Sequence, residues 1–132
     1  MDTSTKYIEM CRQAKEIQEL WRPQQGDFGC SSPYLIYTIG KSAGFLSAES
    51  LDGKWSSLVN TTNDVWLPRQ DQLQEIVHSG STYILLDRFH KNVFGNPNIP
   101  YDKDITMEQL WIAFVMDKKL NKKWNGSEWI KV

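Results

Sequence analysis

Very little in this sequence commits to a chemistry. Two histidines and two cysteines in 132 residues are too few and too scattered for the paired ligand spacing of a zinc site, so no metal and no cofactor is expected. Cys11 and Cys30 could form one bridge at most, which makes no disulfide framework. From Met1 to Glu9 there is no apolar run, so the segment does not read as a secretion signal. Both thiols are therefore expected to be free, and the expected compartment is the cytoplasm. The longest apolar run, Leu110 to Met116, falls far short of the ~20 residues that span a bilayer, and no membrane partner is expected. A formal net charge of −1 gives no global field to gather nucleic acid or an anionic surface.

What the sequence has is bulk. Hydrophobic residues make up 40%, with six Trp, five Tyr and five Phe, enough for an independent core in a chain near the modal domain size. One domain covering residues 1–132 is expected, of α+β class, with about four helices packed with a small antiparallel sheet. Apolar residues at Tyr7, Ile8, Met10, Cys11, Ala14, Ile17, Leu20 and Trp21 recur at helical spacing and predict one helix from Lys6 to Arg22, capped by Ser4 or Thr5 and stopped by Pro23. Arg12 with Glu16, and Lys15 with Glu19, fall four apart on its outer side. The run Tyr34 to Ile39 is dense in aromatic and β-branched residues and predicts a strand. Asp52-Gly53 predicts a tight turn, and Val65-Trp66-Leu67 a short strand. Pro68 suits the first position of a second helix reaching Val77, and Tyr83 to Val93 reads as a third. Thr106 and Gln109 form a capping box for a last helix, whose stripe of Met107, Leu110, Trp111, Phe114 and Val115 predicts the centre of the core. Asn125-Gly126 then predicts a hairpin that carries Trp124 and Trp129.

Several motifs invite catalytic readings. Gly40-Lys41-Ser42-Ala43-Gly44 matches the G-x-S-x-G elbow that exposes a nucleophilic serine between strand and helix. The chain is short for that fold, and a glycine-rich turn explains the match as well. A P-loop would need a glycine where Leu35 stands. Cys30 would need a nearby histidine to become a nucleophile. Asp87 and His90, three apart on one helix, could make a general-base pair but more often mark a solvated ion pair. No credible catalytic set emerges, and Ser42 or Cys30 remains as the hydrolase alternative. Nucleic acid is a further alternative, through Lys118, Lys119, Lys122, Lys123 and Lys131 interleaved with Trp124 and Trp129. It is not favoured, because lysines at a helix C-terminus also complement its dipole.

Trp66 to Glu75 stands out as the candidate binding segment. Arg69, Gln70 and Asp71 offer forked polar side chains beside the free amides of a helix start. An internal polar network is the competing reading. The stretches WLPRQDQLQEIV and MEQLWIAFVMDKKLNKKWNGSEW, with AKEIQELW near the start, resemble short uncharacterised proteins of bacterial viruses and prophages of Gram-positive hosts. The resemblance covers both ends and the Trp66 region, fails between about Ser31 and Asn63, and carries over no catalytic residue. It implies a prophage or mobile-element context and a host cytoplasm. With no credible catalytic set and a surplus of aromatic residues, the favoured function is a non-enzymatic accessory protein that contacts a host or viral protein. Homodimerisation is compatible with the sequence.

Overall fold

The computed structural model describes residues 1–31, 34–42, 44–59, 63–100 and 102–132, without the side chains of residues 42 and 58. The chain is α+β, as expected, with five helices and seven strands among the described residues. It divides into two compact units, Thr3–Pro68 and Arg69–Val132 together with Met1–Asp2.

The first unit opens with α1 (Thr5–Gln13), whose first turn is capped by Ser4, Oγ accepting from the Tyr7 N–H at 3.2 Å. The single helix expected to Arg22 is broken. Ala14 leaves helical space at φ −86°, ψ 66°, and only one further turn follows, α2 (Lys15–Gln18). The break still buries Ala14 and Ile17. It also brings the Gln18 side chain to Trp66, where its amide bonds the backbone twice. Arg12 forms an ion pair with Glu9 on the preceding turn.

Five strands then make one antiparallel sheet: β1 (Phe28–Ser31), β2 (Leu35–Ser42), β3 (Phe45–Ser50), β4 (Ser56–Leu58) and β5 (Val65–Leu67), in the order β4-β3-β2-β1-β5. Residues directly opposed across strands share a face. The register pairs Gly29 with both Tyr37 and Trp66, Tyr37 with Ser50, and Ile39 with Ala48, and all six are buried. On the other face of β2 and β3, Thr38, Ser47 and Glu49 are half-buried or exposed. The Asp52-Gly53 turn forms as expected. Gly53 supplies φ 73°, and Asp52 Oδ1 accepts from Ser50 Oγ at 2.7 Å and from the Lys54 N–H at 3.0 Å. These two hydrogen bonds to the charged form hold the Asp52 carboxyl below its ordinary value.

The second unit holds α3 (Gln70–Val77), α4 (Thr82–Val93), α5 (Met107–Leu120) and a separate two-stranded hairpin, β6 (Lys122–Trp124) with β7 (Trp129–Lys131). The hairpin forms where expected but does not join the five-stranded sheet. Pro68 lies just outside α3 rather than at its first position, because Arg69 is the N-cap. The cap of α5 is the predicted one, Thr106 Oγ1 accepting from the Gln109 N–H at 3.2 Å. Gln109, however, turns its side chain to Asp2, whose Oδ2 also accepts from Thr106 Oγ1. Six consecutive residues of α5, Trp111 to Met116, are buried. That is more than the single stripe read from the sequence, and Met107, assigned to that stripe, is exposed. Asn121 ends α5 in the left-handed region. The side-chain amides of Asn96 and Asn98 donate to the two Asp117 oxygens at 3.1 and 3.2 Å, which fixes the 95–100 loop on α5.

Candidate functional site

The residues singled out from the sequence are mostly occupied with one another. In β5, the Trp66 ring lies parallel to Trp21, 6.3 Å between centroids and 1° between planes. Its backbone faces the open edge of the sheet, and Gln18 closes that edge. Gln18 Oε1 accepts from the Trp66 N–H at 2.7 Å, and Gln18 Nε2 donates to the Trp66 carbonyl at 2.9 Å. One side-chain amide thus supplies the pairing that another strand would have made. Trp21 Nε1 donates to the buried Asp27, which also accepts from the Gln24 N–H. The indole N–H groups of Trp66 and Trp111 are buried with no hydrogen-bond partner among the described residues, so these rings act as apolar bulk.

At the start of α3 the Arg69 guanidinium forks onto Asp71 at 3.1 and 3.3 Å. Gln72 Oε1 accepts from the Arg69 N–H at 2.9 Å, and Gln70 is half-buried. This fork closes within one turn of chain, and Asp71 sits in the first turn, where the helix dipole favours it. Trp124 and Trp129 oppose each other across the hairpin, with centroids 5.1 Å apart and planes tilted by 57°. Their rings are spent on each other, a cross-strand pair worth about 0.5–1.5 kcal/mol beyond area burial. Lys118 bonds Asn92, and Lys131 bonds the Leu120 carbonyl at the end of α5. Those two lysines serve the helix terminus and its neighbour.

The catalytic candidates do not assemble. Gly40, Lys41 and Ser42 belong to β2, and β3 begins right after Gly44, with Ser42 paired to Phe45. The motif is therefore a strand–turn–strand hairpin and lacks the helix an elbow needs; the Ser42 side chain and Ala43 lie outside the described residues. Cys30 is buried in β1, and burial, more than any charge, pushes its thiol above the ordinary value. Arg12 pulls it down, while Asp64 and Glu9 push it further up. No histidine occurs in Thr3–Pro68, so this thiol has no imidazole base within its own unit. Asp87 pairs with Lys91 at 2.9 Å and His90 leans on the Phe94 ring at 4.8 Å, so Asp87 and His90 do not pair. Among the described residues, no group of three His, Cys, Asp or Glu could hold a metal, and no helix is long and apolar enough to cross a membrane.

Two clefts remain. A polar one of about 520 Å³ beside α2 is lined by Arg12, Lys15, Gln18, Arg22 and Asp64, among others. Arg12 is engaged by Glu9 and lies over the Tyr34 ring, while Arg22 donates to the carbonyls of Glu19 and Trp21. The other, of about 540 Å³ and largely apolar, lies between the end of α4 and the start of α5, lined by Val93, Phe94, Ile99, Ile105 and Leu110 among others.

The feature missed in the sequence is the outer face of α4. Its inner side is well anchored. Leu85 is buried, and Phe89 stacks on Trp111 at 3.9 Å and meets Phe114 edge-on at 5.4 Å. On the outer side Tyr83 is 86% exposed, Phe94 69%, Leu86 49% and Ile84 47%. Four adjacent apolar residues, Tyr83-Ile84-Leu85-Leu86, were the available signal. A helix resting on one neighbour buries one stripe, so a run of four must leave some of its members facing out. Comparison with protein-family models, with curated proteins and with solved structures finds no match for this chain.

Proposed function

We propose that the protein is a non-enzymatic binding module that docks a protein partner on the outer face of α4. One observation carries this reading: the helix is fixed from inside by Leu85 and Phe89, yet it holds Tyr83, Leu86 and Phe94 out to solvent. Exposed apolar side chains gathered on one face mark interaction surfaces, and aromatic residues are enriched at binding hot spots. Asp87 and Lys91 lie on the same face of the helix, between Tyr83 and Phe94. The likeness to virus and prophage proteins noted in the sequence supports an accessory role toward a host or viral protein.

The test is affinity capture with tagged wild-type chain and a Tyr83→Glu, Phe94→Ser double variant in parallel. Both positions are exposed, so the fold is retained. A protein held by the wild type and lost with the double variant supports the reading. The same proteins held equally by both would sink it.

A further inference from the structure

The outer face of α4 is complementary to itself when inverted, and we infer that its occupant is a second copy of this chain, the two α4 helices packing antiparallel about a two-fold axis. This rests on the docking reading above and names its partner. Inverting the helix about the midpoint between Arg88 and Phe89 sets Tyr83 against the partner's Phe94, Leu86 against the partner's Lys91, and Asp87 against the partner's His90. Each copy therefore brings an aromatic ring to each end of the contact and an acid–base pair to its middle. The Asp87–Lys91 pair already formed within one helix, at 2.9 Å, then lies beside the same pair running the other way, which sets each Asp87 within one residue's rise of the partner's Lys91. A parallel arrangement would stack Asp87 on Asp87 and Lys91 on Lys91, and like charges face each other at a cost. The antiparallel arrangement also opposes the helix dipoles favourably. A two-fold contact is the form in which one patch serves both partners.

Size sets the strength. Tyr83, Ile84, Leu86 and Phe94 together expose on the order of 500 Å² per copy, below the ~800 Å² per partner of a standard stable interface. The dimer is accordingly reversible, forming at micromolar concentrations or above.

Sedimentation equilibrium reads the result. Between about 5 and about 500 μM, the range in which an interface of this size associates, the wild-type mass should climb from 15.4 kDa towards twice that value. Tyr83→Glu should hold it at one chain throughout. Asp87→Lys gives a seam of like positive charge, and Lys91→Asp one of like negative charge. Each alone should remain monomeric, and an equimolar mixture of the two should regain the doubled mass. A wild-type mass that stays at one chain across the range overturns the inference; partner capture that still depends on Tyr83 and Phe94 would then leave the docking reading standing. A doubled mass unaffected by Tyr83→Glu overturns it as well, since another face would be the contact.

Discussion

Gly29 occupies a position in the sheet where a methyl group cannot be added without moving the buried Tyr37 ring. A Cβ there would lie 2.4 Å from Tyr37 Cζ, 2.5 Å from its hydroxyl oxygen and 2.7 Å from Cε2. The Tyr37 ring is 1% exposed, donates to Asp64 Oδ2 at 2.8 Å and meets Trp55 edge-on, so it cannot swing aside without losing that bond. Overpacking of this kind costs about 1–3 kcal/mol, and a hydrogen bond to a charged acceptor adds about 1.5–3 kcal/mol if it breaks. Lower unfolded-state entropy returns about 0.4–1 kcal/mol on Gly→Ala. Gly29→Ala should therefore destabilise by roughly 2–4 kcal/mol. Urea unfolding followed by tryptophan fluorescence reports this as a fall in midpoint of about 1–2 M, for a slope near 2 kcal/mol/M that does not change. The control is the same substitution in a Tyr37→Ala background, where the methyl group has room and should cost less than about 0.5 kcal/mol, a strong departure from additivity. A wild-type cost under about 1 kcal/mol, or an equal cost in both backgrounds, would refute the clash as the reason for glycine here.

Three further outcomes follow from the same geometry. Gln18→Ala removes both bonds to the Trp66 backbone and should cost about 1–3 kcal/mol, with hydrogen exchange at the Trp66 amide accelerating far more than at Phe28 or Val65. Asp2→Ala takes away the acceptor shared by Thr106 Oγ1 and Gln109 Nε2 and should lower stability by about 2 kcal/mol, while Asp2→Asn, which keeps an acceptor, should lose less; thermal melts of the two variants decide it. The Cys30 thiol is raised from 9.0, first by burial, and the Tyr37 phenol from 10.0, by burial and then by Asp64. Both raised groups favour the folded state fully below those ordinary values, and the contribution is lost as pH climbs past them. The urea midpoint should fall from pH 9 upward, and Tyr37→Phe should flatten the part of that fall above pH 10.

The elements read correctly from the sequence are those whose signals are local. Ser4, Thr106 and Asn125-Gly126 act on backbone groups within three residues of themselves, so caps and turns were legible without any tertiary information. The break at Ala14 was not. Its flanks keep helical periodicity, and what favours a break is the pairing of Gln18 with Trp66, 48 residues away. β1 and β4 were equally invisible. Phe28-Gly29-Cys30-Ser31 carries no strand pattern of its own and becomes a strand because β2 and β5 flank it. Among candidate residues, Arg69 meets Asp71 and Trp124 meets Trp129, and a chain without coordinates cannot separate a side chain reaching for a partner from one reaching for its neighbour.

That distinction relocates the physical motive for binding. The six tryptophans leave little aromatic surface to spare: Trp21, Trp66, Trp111 and Trp129 are buried and Trp55 and Trp124 are half-buried. The tryptophans build cores: Trp21 on Trp66 in the first unit, Trp111 under Phe89 in the second. Apolar surface is exposed instead by less conspicuous residues, among them Tyr83 and Leu86 on α4 and Phe94 at its C-cap, beside Phe45 and Leu51 of the first unit. Tyr83 is 86% exposed, and Phe94, 69% exposed, has the His90 ring beside it. Exposed to this degree, they contribute little to folding, since burial is what rewards an apolar side chain. Tyr83→Glu with Phe94→Ser should accordingly leave the urea midpoint within about 0.3 M of wild type, as for surface changes generally. A marked loss of stability in that variant would mean that the rings serve the fold, and the binding face would lose its physical motive.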